Sequence, residues 1–311
     1  MKSKKRLLPL GFYDLTANEA KKNYEFTKIT LESFIENDYQ LIKTSLIEFE
    51  ENYSDRNLHN NFKVVDNISG KNLIFRDDIT VQISKYISSH EKELKMPLKL
   101  CYYGDVVCRN SDEIYRERQQ TQVGCEIIGS DDINSCFEVI KNTLIALDKI
   151  NIGDLNISIS LPDFLEIFLT NLELENKDKL KDAIINKRIS DIKILAKNYQ
   201  ELISEIVLKN DDFNNLNEKI RSILPALNIA KSLDDAKDLM IFLQSHFQKI
   251  KFNFDLFGDN KFSYHNKIAF DIFAGNFRYP IAKGGCYSID CDDKKIGAVG
   301  STIYINFLRK I

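Results

Sequence analysis

Strand-like alternation occupies both ends of this 311-residue chain, and helical periodicity fills its middle. From about Asp163 to Lys249 nearly every stretch reads as helical, highly charged and poor in glycine, with Pro225 marking one break. Before that block lie "LKLCYYGDVVC", "TQVGCEIIG" and "LNISISL"; after it come "KFNFDLF", "NKIAFDIFAG" and "KKIGAVGSTIYI". The two halves of a sheet therefore flank a helical segment and have to close across it. That predicts an α+β chain with a core domain built from residues 1–162 and 250–311, and a helical insertion over 163–249.

Within the first half, Ala20, Tyr24, Phe26, Leu31 and Phe34 follow a helical rhythm from Ala17 to Asn37, and "YQLIKTSLIEFE" then turns extended. "NLIFRDDITVQISKYISSH" reads as a strand entering a helix, with Asp77 as the expected cap or surface charge. "DDINSCFEVIKNTLIALDKI" reads as a helix behind an Asp-rich cap. "LKLCYYGDVVC" and "RERQQTQVGCEIIG", joined by the polar loop "RNSDEIYRER", suggest an antiparallel hairpin. In the second of these, Gln120, Gln122, Gly124 and Glu126 fall on alternate positions, opposite Thr121, Val123, Cys125 and Ile127. Such a strand carries one apolar and one polar face. Taken alone, the ordinary reading of that polar face is solvent.

Charge and cysteine usage narrow the class. A formal charge of -3 and a pI near 5.9 give no global basic field, which weighs against nucleic acid as a partner. The start "MKSKKRLLPLGFYDL" is basic, but Pro9, Gly11 and Asp14 interrupt its apolar run, unlike a signal peptide. No window approaches the ~18 apolar residues of a spanning helix. The expectation is a soluble cytoplasmic protein without a membrane partner. Cys101, Cys108, Cys125, Cys136, Cys286 and Cys291 form no C-x-x-C pair and read as small buried hydrophobes in a reducing compartment. His59, His90, His246 and His265 are scattered, so no metal site and no cofactor are expected.

Three polar clusters recur at strand ends: "RDDIT" (Arg76 to Thr80), Arg109 with its loop, and the face carrying Gln122 and Glu126. If their strands are neighbours, Asp78 and Glu126 present negative charge to an ammonium or protonated imidazole. Gln122 adds a neutral donor and acceptor, Gly124 leaves room, and Arg109 is available for an anionic group. That suits recognition of an amino acid. Taken singly, Tyr103, Tyr264 and Tyr287 read equally as packing or as pocket walls, and Arg116 and Arg118 as loop cations or as site residues.

The order "LGFYDLTANEA", "LIEFEENY", "FRDDITVQISKY", "LCYYGDVVCRN" and "RERQQTQVGCEIIG" resembles the histidyl-tRNA synthetase catalytic core, a class II synthetase fold, and still more its relatives that regulate ATP phosphoribosyltransferase. The resemblance runs from about Leu8 to Ile159 and resumes near Asp255. It implies a mixed, mainly antiparallel sheet flanked by helices. By position it also implies a histidine pocket in which Asp78, Thr80, Gln122 and Glu126 hold the amino group, Arg109 matches the motif 2 arginine, and Tyr264 lies in the synthetase signature. Gly124, Arg118 and Tyr287 are further candidates.

The departures from the synthetase pattern concern chemistry. Where the synthetases read R-G-L-D-Y-Y-T-G, this chain has Asn260 in place of the activating arginine, with Tyr264 and His265 as the aromatic pair. "GGCY" puts Cys286 in place of a second arginine, and Phe307 stands where motif 3 supplies an arginine to ATP. Each lost cation at a charged transition state costs about 3 kcal/mol or more. No catalytic residue is expected. With Ile311 four residues past Phe307, no anticodon-reading domain is expected, and Ser45 lies near the place of the motif 1 proline.

The resemblance thus implies a non-catalytic subunit that pairs as a dimer, binds a short catalytic ATP phosphoribosyltransferase chain and takes histidine as effector. The alternatives are an inactive synthetase paralogue with a tRNA-linked or stress-sensing role, which would need a basic surface, and a working synthetase, which would need the missing arginines.

Overall fold

The computed structural model describes residues 7–53, 61–109, 117–208, 213–223, 230–257 and 265–311. Two long strands, β5 (Leu98–Val107) and β6 (Gln119–Ile128), pair antiparallel with Cys101 opposite Cys125 and Gly104 opposite Gln122. This is the hairpin expected from the sequence. They lie inside an eight-stranded sheet whose other members are β1 (Gln40–Leu41), β7 (Leu155–Ser160), β8 (Lys251–Phe254), β9 (His265–Ala274), β10 (Ala282–Asp290) and β11 (Lys295–Tyr304). The order is β1-β5-β6-β11-β10-β9-β7-β8, antiparallel except for the β1–β5 and β7–β8 pairs. The two halves of the chain interleave through β6 and β11, where Gly300 lies opposite Glu126 and Thr302 opposite Gly124. A smaller sheet sets β4 (Asn72–Phe75) between β2 (Ile47–Phe49) and β3 (Lys63–Val65).

One face of the large sheet carries α1 (Ala17–Ile35) and α3 (Ile133–Lys149). A Thr16–Glu19 capping box starts the first, and Asp132, accepting from the Ser135 amide, starts the second. Val123, Cys125, Ile127, Val299 and Ile303 point from the sheet into the core beneath them. The opposite face is covered by α2 (Ile79–His90), whose Ile79, Ile83 and Ile87 bury against Leu100, Tyr102, Ile128 and Ala298. Each such isoleucine contributes about 1.5–3 kcal/mol. Because helices cover both faces, the polar alternation in β6 does not mean solvent: Gln122, Gly124 and Glu126 are buried. The solvated reading of that face is thereby corrected.

Between β7 and β8 the described residues form the helices α4 (Phe164–Thr170), α5 (Lys177–Ile185), α6 (Ile189–Leu195), α7 (Gln200–Leu208), α8 (Phe213–Ile223) and α9 (Ala230–His246), and the last of these packs on α3. Their buried side chains are continuous with the main core. A short α10 (Ile305–Leu308) follows β11. Among the described residues no helix is long and apolar enough to cross a membrane.

Candidate functional site

The site forms where α2 begins. Asp78 is the N-cap residue there, its Oδ1 accepting from the Thr80 amide at 3.0 Å, so the capping expected of Asp77 falls to its neighbour. The cap turns Thr80 toward β6, and its hydroxyl donates to Glu126 Oε1 at 2.8 Å. Tyr287, from β10, donates to Glu126 Oε2 at 3.0 Å. Gln122 Oε1 accepts from the Ile79 amide at 3.3 Å and so ties the same helix start to β6. Four polar side chains from two distant segments of the chain, Asp78 and Thr80 from one and Gln122 and Glu126 from the other, therefore converge, all less than a tenth exposed.

Glu126 is fully buried. Burial pushes its carboxyl up to about 8, against the pull of hydrogen bonds from Thr80 and Tyr287. A carboxylate held by neutral hydroxyls in a dry site favours a partner with positive charge or a strong donor. The same surroundings hold the Tyr102 and Tyr287 hydroxyls well above the usual tyrosine range, chiefly by burial.

Two glycines make the arrangement possible. A Cβ on Gly300 would lie 1.6 Å from Glu126 Oε2, and one on Gly124 would lie 2.4 Å from the Tyr102 ring and from the Ser301 carbonyl oxygen. The space that Gly124 leaves is occupied by Tyr102, whose hydroxyl bonds Thr302 Oγ1 at 2.6 Å and Thr80 Oγ1 at 3.2 Å. Tyr102 and Thr302 were not anticipated. The period of two could have found Tyr102, since it lies directly opposite Gly124, whereas the neighbouring Tyr103 points to the other face and is 38% exposed.

The remaining candidates divide. Arg118 donates to the carbonyls of Cys108 and Leu10, and its guanidinium lies 4.2 Å from the Phe62 ring centroid, so it ties down the N-terminal segment. Arg109 is exposed at the end of the β5 extension. Tyr264, Asn260 and Arg116 lie outside the described residues. Arg76 packs over Gly104 on the site face and donates to the carbonyls of Thr44, Ser45 and Asp105, fastening the Ser45 segment beside the site. Cys286 faces away from the site: its sulfur is 3.4 Å from that of Cys136 in the core under α3. The cysteine in "GGCY" therefore removes no cation from this face. Phe307 is 7% exposed and joins Phe277, Tyr279 and Tyr304 in an aromatic cluster with ring centroids 5.6–6.1 Å apart. Among the described residues no group of three or more His, Cys, Asp and Glu side chains is placed to hold a metal ion.

Comparisons with known proteins bear on the family and the fold. The chain is 25% identical over 307 residues to a Paramagnetospirillum magneticum protein named ATP phosphoribosyltransferase regulatory subunit, covering 96% of this chain and 80% of the relative. It is 27% identical over 293 residues to a protein of the same name from Thermoanaerobacter sp., covering 90% and 75%. The fold matches a Bacillus halodurans structure described as an ATP phosphoribosyltransferase regulatory subunit/histidyl-tRNA synthetase, with a TM-score of 0.84 at 21% identity over 99% of this chain and 84% of that one. It also matches a chain of an ATP phosphoribosyltransferase complex from Thermotoga maritima, with a TM-score of 0.69 at 17% identity over 93% and 98%. These likenesses establish a class II synthetase-like fold. From residue 11 to residue 308 the sequence matches the family described as histidyl-tRNA synthetase, and the chain belongs to that family.

Proposed function

We propose that this chain is the regulatory subunit of an ATP phosphoribosyltransferase, activating a short catalytic chain and conferring feedback inhibition by histidine in the first step of histidine biosynthesis. The observation that carries the reading is the buried Glu126, gripped by Thr80 and Tyr287 beside Asp78 and Gln122. It supports an amino-acid site retained at a place where activation chemistry is not. On the nucleotide side of the synthetase pattern, the motif 3 position holds Phe307 within an aromatic cluster, which offers no positive charge to a triphosphate. The names carried by the relatives support the same reading.

Histidine suits such a site because its ammonium and imidazole supply two positively charged or hydrogen-bonding groups for Asp78 and Glu126. The chain acts as a dimer in this proposal. Exposed Leu46, Ile47, Phe49, Val64 and Val65 on and beside the small sheet support an apolar interface there.

Affinity purification of the tagged chain from its native source tests the class of function. Recovery of a short ATP phosphoribosyltransferase chain is the expected result, and recovery of tRNA in its place would contradict it.

A further inference from the structure

The strand registers line up one row of residues across the site face: Ser158 on β7, Asp271 on β9, Lys283 on β10, Thr302 on β11, Gly124 on β6 and Tyr102 on β5. Residues directly opposite one another in paired strands project to the same face. Lys283 therefore shares the face of Glu126, with Thr302 between Lys283 and the Gly124–Tyr102 contact. Its amine lies 3.4 Å from Asp271 Oδ1, and its side chain is only 18% exposed, so a positive charge is held at the border of the site by a partner that is itself 39% exposed.

Two strand spacings, about 10 Å, separate the Lys283 backbone from that of Gly124. A lysine side chain is long enough to span more than half of this, so the Lys283 amine, on turning from Asp271, reaches over Thr302 toward the Thr80–Glu126 pair. The β6 side of this face carries carboxyls and hydroxyls, and the β10 side carries a cation. A zwitterion fits that polarity in one orientation only.

We propose that Lys283 is a specificity-determining residue that receives the carboxylate of the bound α-amino acid, while Glu126, Thr80 and Asp78 face its cationic and donor groups. The inference rests on the amino-acid reading of the site and goes further, because it names the group that separates an amino acid from its amine. Asp271 holds the resting amine on the β9 side, and its exposure lets the amine turn toward a ligand without leaving a buried carboxylate unpaired. Arg109 had been the expected anion partner, but it stands exposed beyond the end of β5.

The test is calorimetric titration of the full chain with histidine and with histamine, which keeps the imidazole and the protonated amine but lacks the carboxylate. Wild type should prefer histidine by roughly tenfold to a hundredfold, as for one charge-assisted hydrogen bond. Lys283→Met should erase most of that preference while leaving histamine affinity nearly unchanged, and Lys283→Arg should keep it. Lys283→Gln serves the same purpose if the methionine variant does not fold. If wild type binds histidine yet does not distinguish it from histamine, or if the neutral variants keep the preference, the role of Lys283 is overturned and the amino-acid site stands. If wild type binds neither compound, the amino-acid reading fails and this inference falls with it.

Discussion

The carboxylate of Glu126 lies across the bare α-carbon of Gly300, on the strand paired with its own, so closely that a Cβ there would be 1.6 Å from Oε2. Gly300→Ala must therefore rotate Glu126 away from Thr80 and Tyr287 and leave it buried without those donors. Overpacking of this kind costs roughly 1–3 kcal/mol. The expected result is a lower melting temperature together with lost ligand binding, read by calorimetry.

Gly124 behaves differently. A Cβ there meets the Ser301 carbonyl oxygen as well as Tyr102, so even Gly124→Ala presses on the sheet backbone. A larger residue such as valine, which on sequence grounds would only block a pocket, should reduce the yield of folded protein. A Gly124→Val variant with wild-type thermal stability would contradict this.

Glu126 should make stability depend on pH. Its folded carboxyl titrates at about 8, above the ordinary 4.5, so the folded state holds a proton that the unfolded state has released. The associated stability is full below about pH 4.5 and is lost as pH rises to about 8. Glu126→Gln should flatten that slope and raise the stability of the ligand-free chain at pH 8 by roughly 2–4 kcal/mol. The same variant should bind histidine more weakly, by about 1.5–3 kcal/mol. Denaturant midpoints at pH 5 and pH 8, with a titration at one of them, read both effects.

Histidine binding should release a proton near neutral pH. The buried carboxyl is largely protonated when the site is empty and ionises when a cationic group comes to rest against it, so affinity should rise with pH between about 6.5 and 8. Calorimetric enthalpies in buffers of different ionisation heat measure the proton count, and a value of zero would contradict the assignment of Glu126 to the ligand.

The sequence made the β5–β6 hairpin legible, because alternation and a polar connecting loop are local signals. It also made the order of the polar clusters legible, and with it Asp78, Thr80, Gln122 and Glu126. It could not show whether the polar face of β6 met water or a helix, since the start of α2, which covers it, is 40 or more residues away in the chain. Strand β10 escaped notice because Gly284 and Gly285, followed by Ser288 and Asp290, dilute its strand signal. Lys283 went with it, one lysine among many. Asp77 and Asp78 are both plausible caps by composition, and only the backbone turn decides that the second one is buried and capping.

Activation chemistry should be absent. With Phe307 in an aromatic cluster, the isolated chain is expected to show no histidine-dependent exchange of pyrophosphate into ATP, and Asn260→Arg alone should not restore it. Measurable exchange by the purified wild-type protein would overturn the regulatory reading in favour of a working synthetase.

Regulation of a partner is read by the phosphoribosyl-transfer rate of the short catalytic chain with and without this protein, across a histidine titration. The rate should rise on adding this chain and then fall with histidine, with coupling on the order of 1–3 kcal/mol, and Glu126→Gln in this chain should shift the inhibition to higher histidine concentration. A partner whose rate and histidine response are the same in the presence and absence of this protein would contradict the account.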